Sequence, residues 1–564
     1  WMSSDGANIK PLTDDQKVRH NFGEWSKDGK KIYYASNKRD RNWFDIYSMQ
    51  IETGAAELLY QQDGSNSVAA VSDDGGKIIV SRSSVRFSLD NDLYLIDTKT
   101  KKQTHLTPHD EATQYGDVSF LPDGKTILLG TNFGHEYINL AQMNLKTGES
   151  GVKQGEIQFL DSENWELDAS EVSGDGSLLA YTVNREGYSE LYFRPLATGG
   201  DPHGKKSAAV KLPARGVVNN LVFSKDKTRL AFTFSASKYN TDIWLYDLKS
   251  KKLSQITKSD RAGIAQESFV EPQLIKFKSF DGREIPAWYY KPQAFQKHIE
   301  AEAAKFEKAR KKRKNAQTKQ QPAVWREEDI TRLSSPSLYP VIVSVHGGPE
   351  GQERPGFNPL YQYYLSRGYA VLATNVRGST GYGKTFSHLD DVEKREDSVK
   401  DLAYAVQWLK TAGGADAKRI AVMGGSYGGY MTMAAITLYP ELWAAAVNTV
   451  GIVNWETFLK NTSGYRRRQR EVEYGMLDKD IEFLRRISPI AKVDKIKTPL
   501  FVIHGRNDPR VPYTEAEQIV KVLKDRGATV EYKLFDDEGH GISKLKNRLE
   551  LYPLVADFLD KYMK

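Results

Sequence analysis

The chain contains no cysteine among its 564 residues. Disulfide bonds, thiol nucleophiles and zinc sites built from thiolates are therefore excluded. No apolar run reaches the length of about eighteen residues that a membrane-spanning helix needs, so we predict no membrane span. We find no spacing of metal ligands and no glycine-rich loop of the kind that binds phosphate. We therefore expect neither a metal nor another cofactor.

What the sequence does contain is a serine between glycines at the end of an apolar strand. The strand Arg419–Met423 runs into Gly424–Gly428, with Ser426 at its centre, and a helix-like segment follows. Strand, Gly-x-Ser-x-Gly and helix are the context of a nucleophile elbow, a tight turn that lifts the serine hydroxyl above the sheet. A glycine-rich structural turn is the alternative that this motif alone leaves open.

An acid and a base follow the serine in the order that α/β-hydrolases use. Asp508 lies in the loop after the apolar strand Pro499–Ile503, and His540 lies between two glycines after the next strand. A serine hydroxyl needs such a base, and the base needs an acid that fixes its tautomer. The sequence therefore predicts Ser426, Asp508 and His540 as a catalytic triad. His504, which directly follows its strand, is interpreted as a structural histidine.

The oxyanion that forms during attack on a carbonyl needs preorganised donors. The amide of Tyr427, directly after the nucleophile, is one candidate. The loop His346–Pro349, which follows the strand Val341–Val345, is the candidate source of the second. Its glycines allow the backbone to turn amides toward a substrate, although an ordinary tight turn would have the same composition.

Five motifs in this order resemble those of the prolyl oligopeptidase family of serine peptidases. They are residues 346–349, 375–383, 424–430, 504–512 and 538–541. The His-Gly-Gly-Pro form of the first is closest to the acylaminoacyl-peptidase branch. The resemblance implies the same triad, an oxyanion hole formed by the amides of Gly348 and Tyr427, and a contact of Arg510 with the substrate backbone. An ion pair of Arg510 with a neighbouring carboxylate is the alternative.

The N-terminal half repeats a short turn motif, usually Asp-Gly, between apolar strands. The repeated residues are Asp28, Asp74, Asp123, Asp175 and Asp226, at intervals of 46, 49, 52 and 51 residues. Repeats of about 40 to 50 residues with several short strands are typical of β-propeller blades, and a β-sandwich is the alternative. The chain opens with Trp1, so we expect a truncated or processed N-terminus, with at least five blades here and seven in the complete protein.

We predict a boundary near residue 268, with a β-propeller domain over residues 1–268 and an α/β-hydrolase domain over residues 269–564. Eight candidate strands of the second domain alternate in their later part with amphipathic helices, as a mostly parallel sheet requires. They are Leu274–Ser279, Ile285–Lys291, Val341–Val345, Tyr369–Thr374, Arg419–Met423, Ala444–Val447, Leu500–Ile503 and Val530–Phe535.

The formal net charge of +7 is concentrated in an insertion at about residues 294–336. Residues 297–332 hold eleven Lys or Arg and six Asp or Glu, with Lys308–Lys314 as the core. We predict a solvated basic helix there. A docking or oligomer contact is the second interpretation, and a patch for RNA, membrane or acidic substrates is the third. The run lacks interleaved aromatic residues, so we do not expect nucleic acid as a partner.

The sequence predicts a serine peptidase that acts on short peptides, in a cytoplasmic protein that forms homo-oligomers. An esterase on the same fold and a catalytically silent binding protein are the alternatives. A propeller that admits short peptides and excludes folded proteins favours the peptidase, because a simple esterase does not need one. Acylaminoacyl-, dipeptidyl- and endopeptidase modes stay open. The clearest adjacent acidic pair, Glu327-Glu328, lies outside the propeller, which weakens the dipeptidyl interpretation. Trp455 and Phe458 predict an apolar pocket for the substrate side chain.

Overall fold

The computed structural model describes residues 1–3, 5–15, 17–145, 155–196, 204–293 and 338–564. The predicted basic insertion at residues 294–336 lies outside these ranges, and with it Lys308–Lys314 and Glu327-Glu328. Within the described ranges, no helix combines the length and the apolar character needed to cross a membrane.

In its described residues, the N-terminal half folds into five antiparallel sheets whose strands follow one another in chain order. The first sheet holds β1 (His20–Trp25), β2 (Lys31–Asp40), β3 (Trp43–Gln50) and β4 (Ala56–Tyr60); the second β5 (Asn66–Val71), β6 (Lys77–Ser83), β7 (Asn91–Asp97) and β8 (Gln103–His105); the third β9 (Tyr115–Phe120), β10 (Thr126–Thr131), β11 (Asn139–Asn144) and β12 (Ile157–Phe159); the fourth β13 (Glu166–Val172), β14 (Leu178–Arg185) and β15 (Tyr188–Pro195); and the fifth β16 (Val217–Phe223), β17 (Arg229–Ala236), β18 (Tyr239–Asp247) and β19 (Leu253–Gln255). The predicted propeller is confirmed with five blades, and the total of seven stays a prediction.

The repeated aspartate closes the turn between the first two strands of each blade. In the first blade, the Asp28 carboxylate accepts hydrogen bonds from Ser26 Oγ (2.7 Å) and from the Lys30 amide (3.1 Å). The next residue, Gly29, has φ 70°, a left-handed conformation that glycine adopts without strain. In the fifth blade Lys227 takes this position with φ 56°, which explains how the motif persists there without glycine.

The first strands of successive blades contact one another: β1 meets β5, β5 meets β9, β9 meets β13 and β13 meets β16. Each of these inner strands carries one extra residue, a β-bulge, against its neighbour. The bulges lie at Gly23, Ala69, Asp117-Val118, Asp168 and Asn220-Leu221. The blades therefore share a backbone feature, the bulge, as well as a sequence motif. Asp117 and Asp168 occupy the bulges of the third and fourth blades.

The C-terminal half contains one eight-stranded sheet in the order β20-β21-β23-β22-β24-β25-β26-β27. β20 and β21 are antiparallel to their neighbours, and the other six strands are parallel. All eight predicted strands are present: β20 (Gln273–Lys278), β21 (Glu284–Tyr290), β22 (Tyr339–Val345), β23 (Ala370–Thr374), β24 (Ala415–Gly425), β25 (Ala445–Thr449), β26 (Leu500–Gly505) and β27 (Val530–Phe535). The boundary near residue 268 falls between β19 and β20 and stays a prediction.

Helices cover both faces of this sheet. They are α1 (Pro359–Ser366), α2 (Lys384–Ser387), α3 (Arg395–Trp408), α4 (Tyr427–Leu438), α5 (Trp455–Asn461), α6 (Gly464–Tyr474), α7 (Ile481–Ile487), α8 (Thr514–Asp525) and α9 (Leu545–Met563), with short 3₁₀ turns at Gln266–Ser268, Val392–Lys394, Pro440–Leu442 and Pro489–Lys495 and a π turn at Leu409–Gly413.

Successive residues of the central strands enter opposite cores, as the two-residue period of a strand requires. Val341 and Val343 of β22 lie in the core that includes α3 and α4, whereas Ile342 lies in the core that includes α9. Burial on both faces explains why these parallel strands are continuously apolar in sequence. The carboxyl ends of β24, β26 and β27 lie at one edge of the sheet, and the predicted triad follows these three ends.

Candidate active site

Ser426 lies at the junction of β24 and α4 in a strained conformation. Its backbone has φ 58° and ψ −118°, and its amide donates to the Thr449 carbonyl at 2.9 Å. A non-glycine residue adopts such angles only where the surrounding structure imposes them, and such strain is typical of functional sites. The junction therefore has the geometry of a nucleophile elbow, with a half-buried serine at its apex.

The glycines around Ser426 permit the tight turn by leaving space for neighbouring backbone. Positive φ occurs at Ser426 itself and not at Gly424 or Gly428. Instead, a Cβ atom on Gly428 would lie 2.2 Å from the Val345 carbonyl oxygen, and one on Gly424 would lie 2.3 Å from the Gly428 oxygen. Close approach of α4 to the sheet is therefore what requires glycine here.

The predicted acid and base are in direct contact. His540 Nδ1 lies 2.7 Å from Asp508 Oδ2, and Asp508 Oδ1 accepts hydrogen bonds from the amides of Arg510 (2.8 Å) and Val511 (3.0 Å). Burial alone would raise the pKa of Asp508. Hydrogen bonds with His504 and His540, together with the charge of His540, outweigh burial and lower this pKa. An ionised Asp508 holds His540 as the Nδ1–H tautomer, which leaves Nε2 free to accept a proton.

His504 is a second histidine beside the same carboxylate. It is fully buried at the end of β26, where Nε2 donates to the Val511 carbonyl at 2.9 Å and lies 3.5 Å from Asp508 Oδ2. Because a carbonyl only accepts, the proton of His504 is on Nε2. This contact supports the loop that carries Asp508 and agrees with the interpretation of His504 as structural.

The loop that carries His540 is organised by Glu538, the acid of the Glu-Gly-His-Gly motif. Its two carboxylate oxygens accept hydrogen bonds from the Ser543 amide (3.1 Å), the Lys544 amide (2.9 Å) and Asn547 Nδ2 (2.7 Å). These bonds tie the loop to the start of α9. Glu538 therefore positions the loop that carries His540 and takes no part in proton transfer from Ser426.

The loop His346–Pro349 lies against the nucleophile. A Cβ atom on Gly347 would be 4.0 Å from Ser426 Oγ. His346 Nδ1 lies 2.8 Å from the Gly347 carbonyl, which only accepts, so Nδ1 carries the proton. Burial lowers the pKa of His346 and keeps it neutral. This bond fixes the plane of the Gly347–Gly348 peptide, so that the Gly348 amide points away from the His346 ring.

Tyr474 holds the other side of Gly348. Its hydroxyl donates to the Gly348 carbonyl at 2.7 Å, and its ring stacks parallel to Tyr427 and lies 4.4 Å from the Trp455 ring. In the part of the chain that the structure describes, the Gly348 and Tyr427 amides donate to no protein acceptor. Both are thus available to a ligand. Trp455 and Phe458 are buried in this aromatic cluster.

Beneath the elbow lies a buried ionic cluster. The Arg395 guanidinium is fully buried, contacts Asp390 and lies 2.5 Å from Glu473 Oε1, while the Tyr427 hydroxyl donates to Asp390 at 3.0 Å. Carboxylate atoms of Asp390, Asp391 and Glu473 lie within 4.8 Å of one another. Since Arg395 already supplies the positive charge between Asp390 and Glu473, we assign no metal to them.

One propeller residue reaches this cluster. Ser88 Oγ lies 2.6 Å from Glu473 Oε2 and 2.5 Å from Glu350 Oε1. A hydroxyl has a single proton, so one of the two carboxyl groups must donate the second hydrogen bond. Burial raises the pKa of Glu473, and the charge of Arg395 opposes this shift. Glu350 directly follows the loop His346–Pro349, which we call the oxyanion loop. Ser88 therefore links blade two of the propeller to that loop through Glu350.

The motif at residues 375–383 packs against the oxyanion loop. Arg377 makes a forked contact with the buried Asp401, and Ser379 Oγ lies 2.9 Å from His346 Nε2. At its end, the Gly383 amide donates to Glu166 of the propeller at 3.1 Å. Its residues therefore position the oxyanion loop and join the two domains.

Arg354 makes a further contact between the domains. Its guanidinium donates to Asp168 Oδ2 (2.8 Å), to the Gly187 carbonyl (2.9 Å) and to Ser189 Oγ (2.9 Å), all in blade four. Forked contacts of this kind fix both distance and orientation. The propeller is therefore bound to the segment that directly follows the oxyanion loop.

Comparison with known proteins agrees with this architecture. The sequence model of the prolyl oligopeptidase family matches residues 355–564, and that of the N-terminal β-propeller domain of prolyl oligopeptidase matches residues 7–259. The chain therefore belongs to the prolyl oligopeptidase family, which confirms the resemblance seen in its motifs.

Among curated relatives, dipeptidyl aminopeptidase BIII of Pseudoxanthomonas mexicana is 37% identical over 225 residues, which cover 39% of this chain and 33% of the relative. The acylamino-acid-releasing enzyme of Arabidopsis thaliana is 30% identical over 233 residues, covering 40% and 30%. The match spans about a third of the length of these relatives. A puromycin-hydrolyzing peptidase of Mycobacterium tuberculosis has a TM-score of 0.78 at 19% identity, covering 97% of this chain and 79% of that one, and this likeness concerns the fold.

Proposed function

We propose that this protein is a serine peptidase that hydrolyses short peptides through an acyl-enzyme on Ser426. The observation that carries the proposal is the 2.7 Å contact of His540 with Asp508 at the sheet edge where the strained Ser426 follows β24. His540 Nε2 takes the proton of Ser426 as its oxygen attacks the carbonyl, and the same nitrogen returns the proton to the leaving amine. Water then hydrolyses the ester by the same steps.

The developing oxyanion is bound by the amides of Gly348 and Tyr427. Both lack a protein acceptor within the described residues, and His346 and Tyr474 fix the backbone on either side of Gly348. Donors that are aligned before the reaction stabilise the transition state without reorganisation. The Tyr427 amide also lies in the first turn of α4, where the helix dipole favours negative charge.

Arg510, Trp455 and Phe458 complete the proposed substrate site. Arg510 is exposed two residues after Asp508, where its guanidinium can reach a substrate backbone. Trp455 and Phe458 are buried beside Tyr474, and in this proposal they back the apolar pocket for the substrate side chain. The relatives include both acylamino-acid-releasing and dipeptidyl-cleaving enzymes. We favour release of acylated residues or oligopeptide cleavage, because the conspicuous Glu327-Glu328 pair is not in the propeller sequence.

A panel of matched peptides tests this proposal. We expect hydrolysis of peptides of up to about ten residues, little hydrolysis of folded proteins, and loss of turnover in Ser426→Ala. N-acetylated and free forms of the same peptide distinguish the modes, since dipeptide release requires a free amino group. If esters are hydrolysed and all peptides resist, the esterase alternative replaces the peptidase. The predicted oligomer and cytoplasmic location stay predictions.

A further inference from the structure

Helix α6 lies between the two domains and uses a separate face for each. Toward the propeller, the Arg468 guanidinium lies 3.8 Å from the centre of the Trp43 ring, and Gln469 Nε2 donates to Ser65 Oγ at 2.9 Å. The Tyr465 ring meets Phe44 edge-on at 5.3 Å. These contacts hold the helix against the first two blades.

The other face of α6 is turned toward the proposed active site. Tyr474 donates to the Gly348 carbonyl, and Arg470 Nη1 lies 2.8 Å from Oε2 of Glu350, the residue directly after the oxyanion loop. Residues four apart share a helix face. Arg466 is therefore the next side chain on this face, one turn before Arg470.

Arg466 and Arg510 belong to segments that contact each other. Burial and then the charges of Arg470 and Arg510 lower the pKa of Arg466. The segment before α6 also contacts the loop of the proposed acid, because Thr462 Oγ1 donates to the Arg510 carbonyl at 3.1 Å. Arg466 and Arg510 thus belong to two adjacent segments, helix α6 beside the oxyanion loop and the loop that carries Asp508.

Within the described residues, neither guanidinium has a counter-charge. Arg466 is half-buried, and within the described ranges the side chains of Arg466 and Arg510 make no hydrogen bond and no ion pair. Arg467, on the same helix, is paired with Glu471 and Asp478. A partly buried, unpaired charge is unfavourable, and a close second charge of the same sign makes it more so. An anionic ligand relieves both effects.

We propose that Arg466 and Arg510 form a carboxylate-binding site that selects peptides with a negative charge near the scissile bond. Guanidinium groups suit this ligand because their forked donors match the two oxygens of a carboxylate. The proposal rests on the proposed peptidase function and adds a specificity residue, Arg466. Two carboxylates have this chemistry, the C-terminal group of a short peptide and an Asp or Glu side chain.

Binding to the Ser426→Ala variant tests the site without turnover. The probes are acetyl-Ala-Ala-Phe-Ala-Ala as the free acid, the same peptide as the amide, and acetyl-Ala-Ala-Phe-Glu-Ala as the amide, measured by calorimetry. We expect the free acid or the glutamyl peptide to bind about ten to a hundred times more tightly than the neutral amide. Which of the two gains affinity identifies the source of the carboxylate.

Arg466→Gln in the same background should reduce that preference to less than about threefold, and Arg466→Lys should keep part of it because the charge remains. Arg467→Gln, which removes the same charge one position away, should leave the preference unchanged. Thermal unfolding of each variant checks that it folds. If Arg466→Gln does not fold, the reduced preference of Arg466→Lys tests the site instead.

Equal affinity of acid and amide peptides, absence of binding by both carboxylate peptides, or a preference that survives Arg466→Gln would overturn the site. Reaction of the parent protein with a fluorophosphonate reports separately on Ser426. A labelled Ser426 without carboxylate preference rejects this inference and leaves the peptidase proposal standing, whereas an unlabelled Ser426 rejects the peptidase.

Discussion

Removal of the Tyr474 hydroxyl should damage catalysis more than binding. Tyr474→Phe deletes the 2.7 Å hydrogen bond to the Gly348 carbonyl and retains the ring contacts with Tyr427 and Trp455. A hydrogen bond between neutral groups contributes about 1 kcal/mol, which corresponds to about fivefold in rate. Complete loss of one oxyanion donor costs about a hundredfold or more. Because the His346 bond still holds Gly348 from the other side, we expect kcat to fall about five- to thirtyfold.

The assay is steady-state hydrolysis of a chromogenic peptide by parent and variant, with KM and kcat resolved. KM should change little, because the lost bond positions a group that acts on the transition state. Tyr430→Phe is the matched control. Tyr430 belongs to the same buried aromatic cluster, and within the described structure its hydroxyl donates no hydrogen bond to the oxyanion loop. An unchanged kcat in Tyr474→Phe, or equal losses in the two variants, would refute the reasoning.

Three further predictions concern the acid, the domain contact and the propeller. Asp508→Asn should lower kcat by about four orders of magnitude with the fold retained, since the tautomer of the base is no longer fixed; circular dichroism and kinetics check this. Ser88→Ala should lower the free energy of unfolding by about 1–3 kcal/mol in urea titrations, because Glu473 loses a buried partner. Burial and then the charge of Glu24 raise the pKa of Glu171 to about 7, so the folded state keeps a proton that the unfolded state releases near pH 4.5. The free energy of unfolding should therefore fall by about 1 kcal/mol, after solvent screening, as pH rises from about 4.5 to 7. Glu171→Gln should flatten this part of the plot of stability against pH. An unchanged slope in the variant would contradict the assignment to Glu171.

Much of the fold is predictable because its signals are local. The aspartate turns reveal five blades, since each turn needs its own carboxylate and a left-handed residue within a few positions. The eight strands of the second domain follow from short apolar runs between helices. The order of serine, acid and base along the chain predicts that three strand ends meet, which the contact of His540 with Asp508 agrees with.

The support of the site is not predictable in this way, because it depends on contacts between distant segments. Ser88 and Glu473 are 385 positions apart, and no local pattern marks them as partners. The arginines of α6 look alike in sequence, yet Arg467 is paired with acids, Arg468 lies on Trp43, and Arg466 is left without a counter-charge in the described structure. Their roles depend on which domain each helix face meets.

The bulges of the inner strands are hidden for a similar reason. An extra residue is defined only against its neighbour strand, so Asp117 and Asp168 read as ordinary strand residues until the register is known. The glycines of the elbow belong to a recognisable motif, but the motif does not say whether backbone angle or space requires them. Only the approach of α4 to Val345 shows that space, and not φ, requires them.

The most direct test of the central claim is covalent labelling of Ser426 by a fluorophosphonate, followed by intact mass and peptide mapping. We expect one adduct per chain, located on Ser426, with labelling strongly slowed in His540→Ala and abolished in Ser426→Ala, because only a serine activated by its base reacts readily. An unmodified Ser426, or an equal rate of labelling with and without His540, would contradict the account.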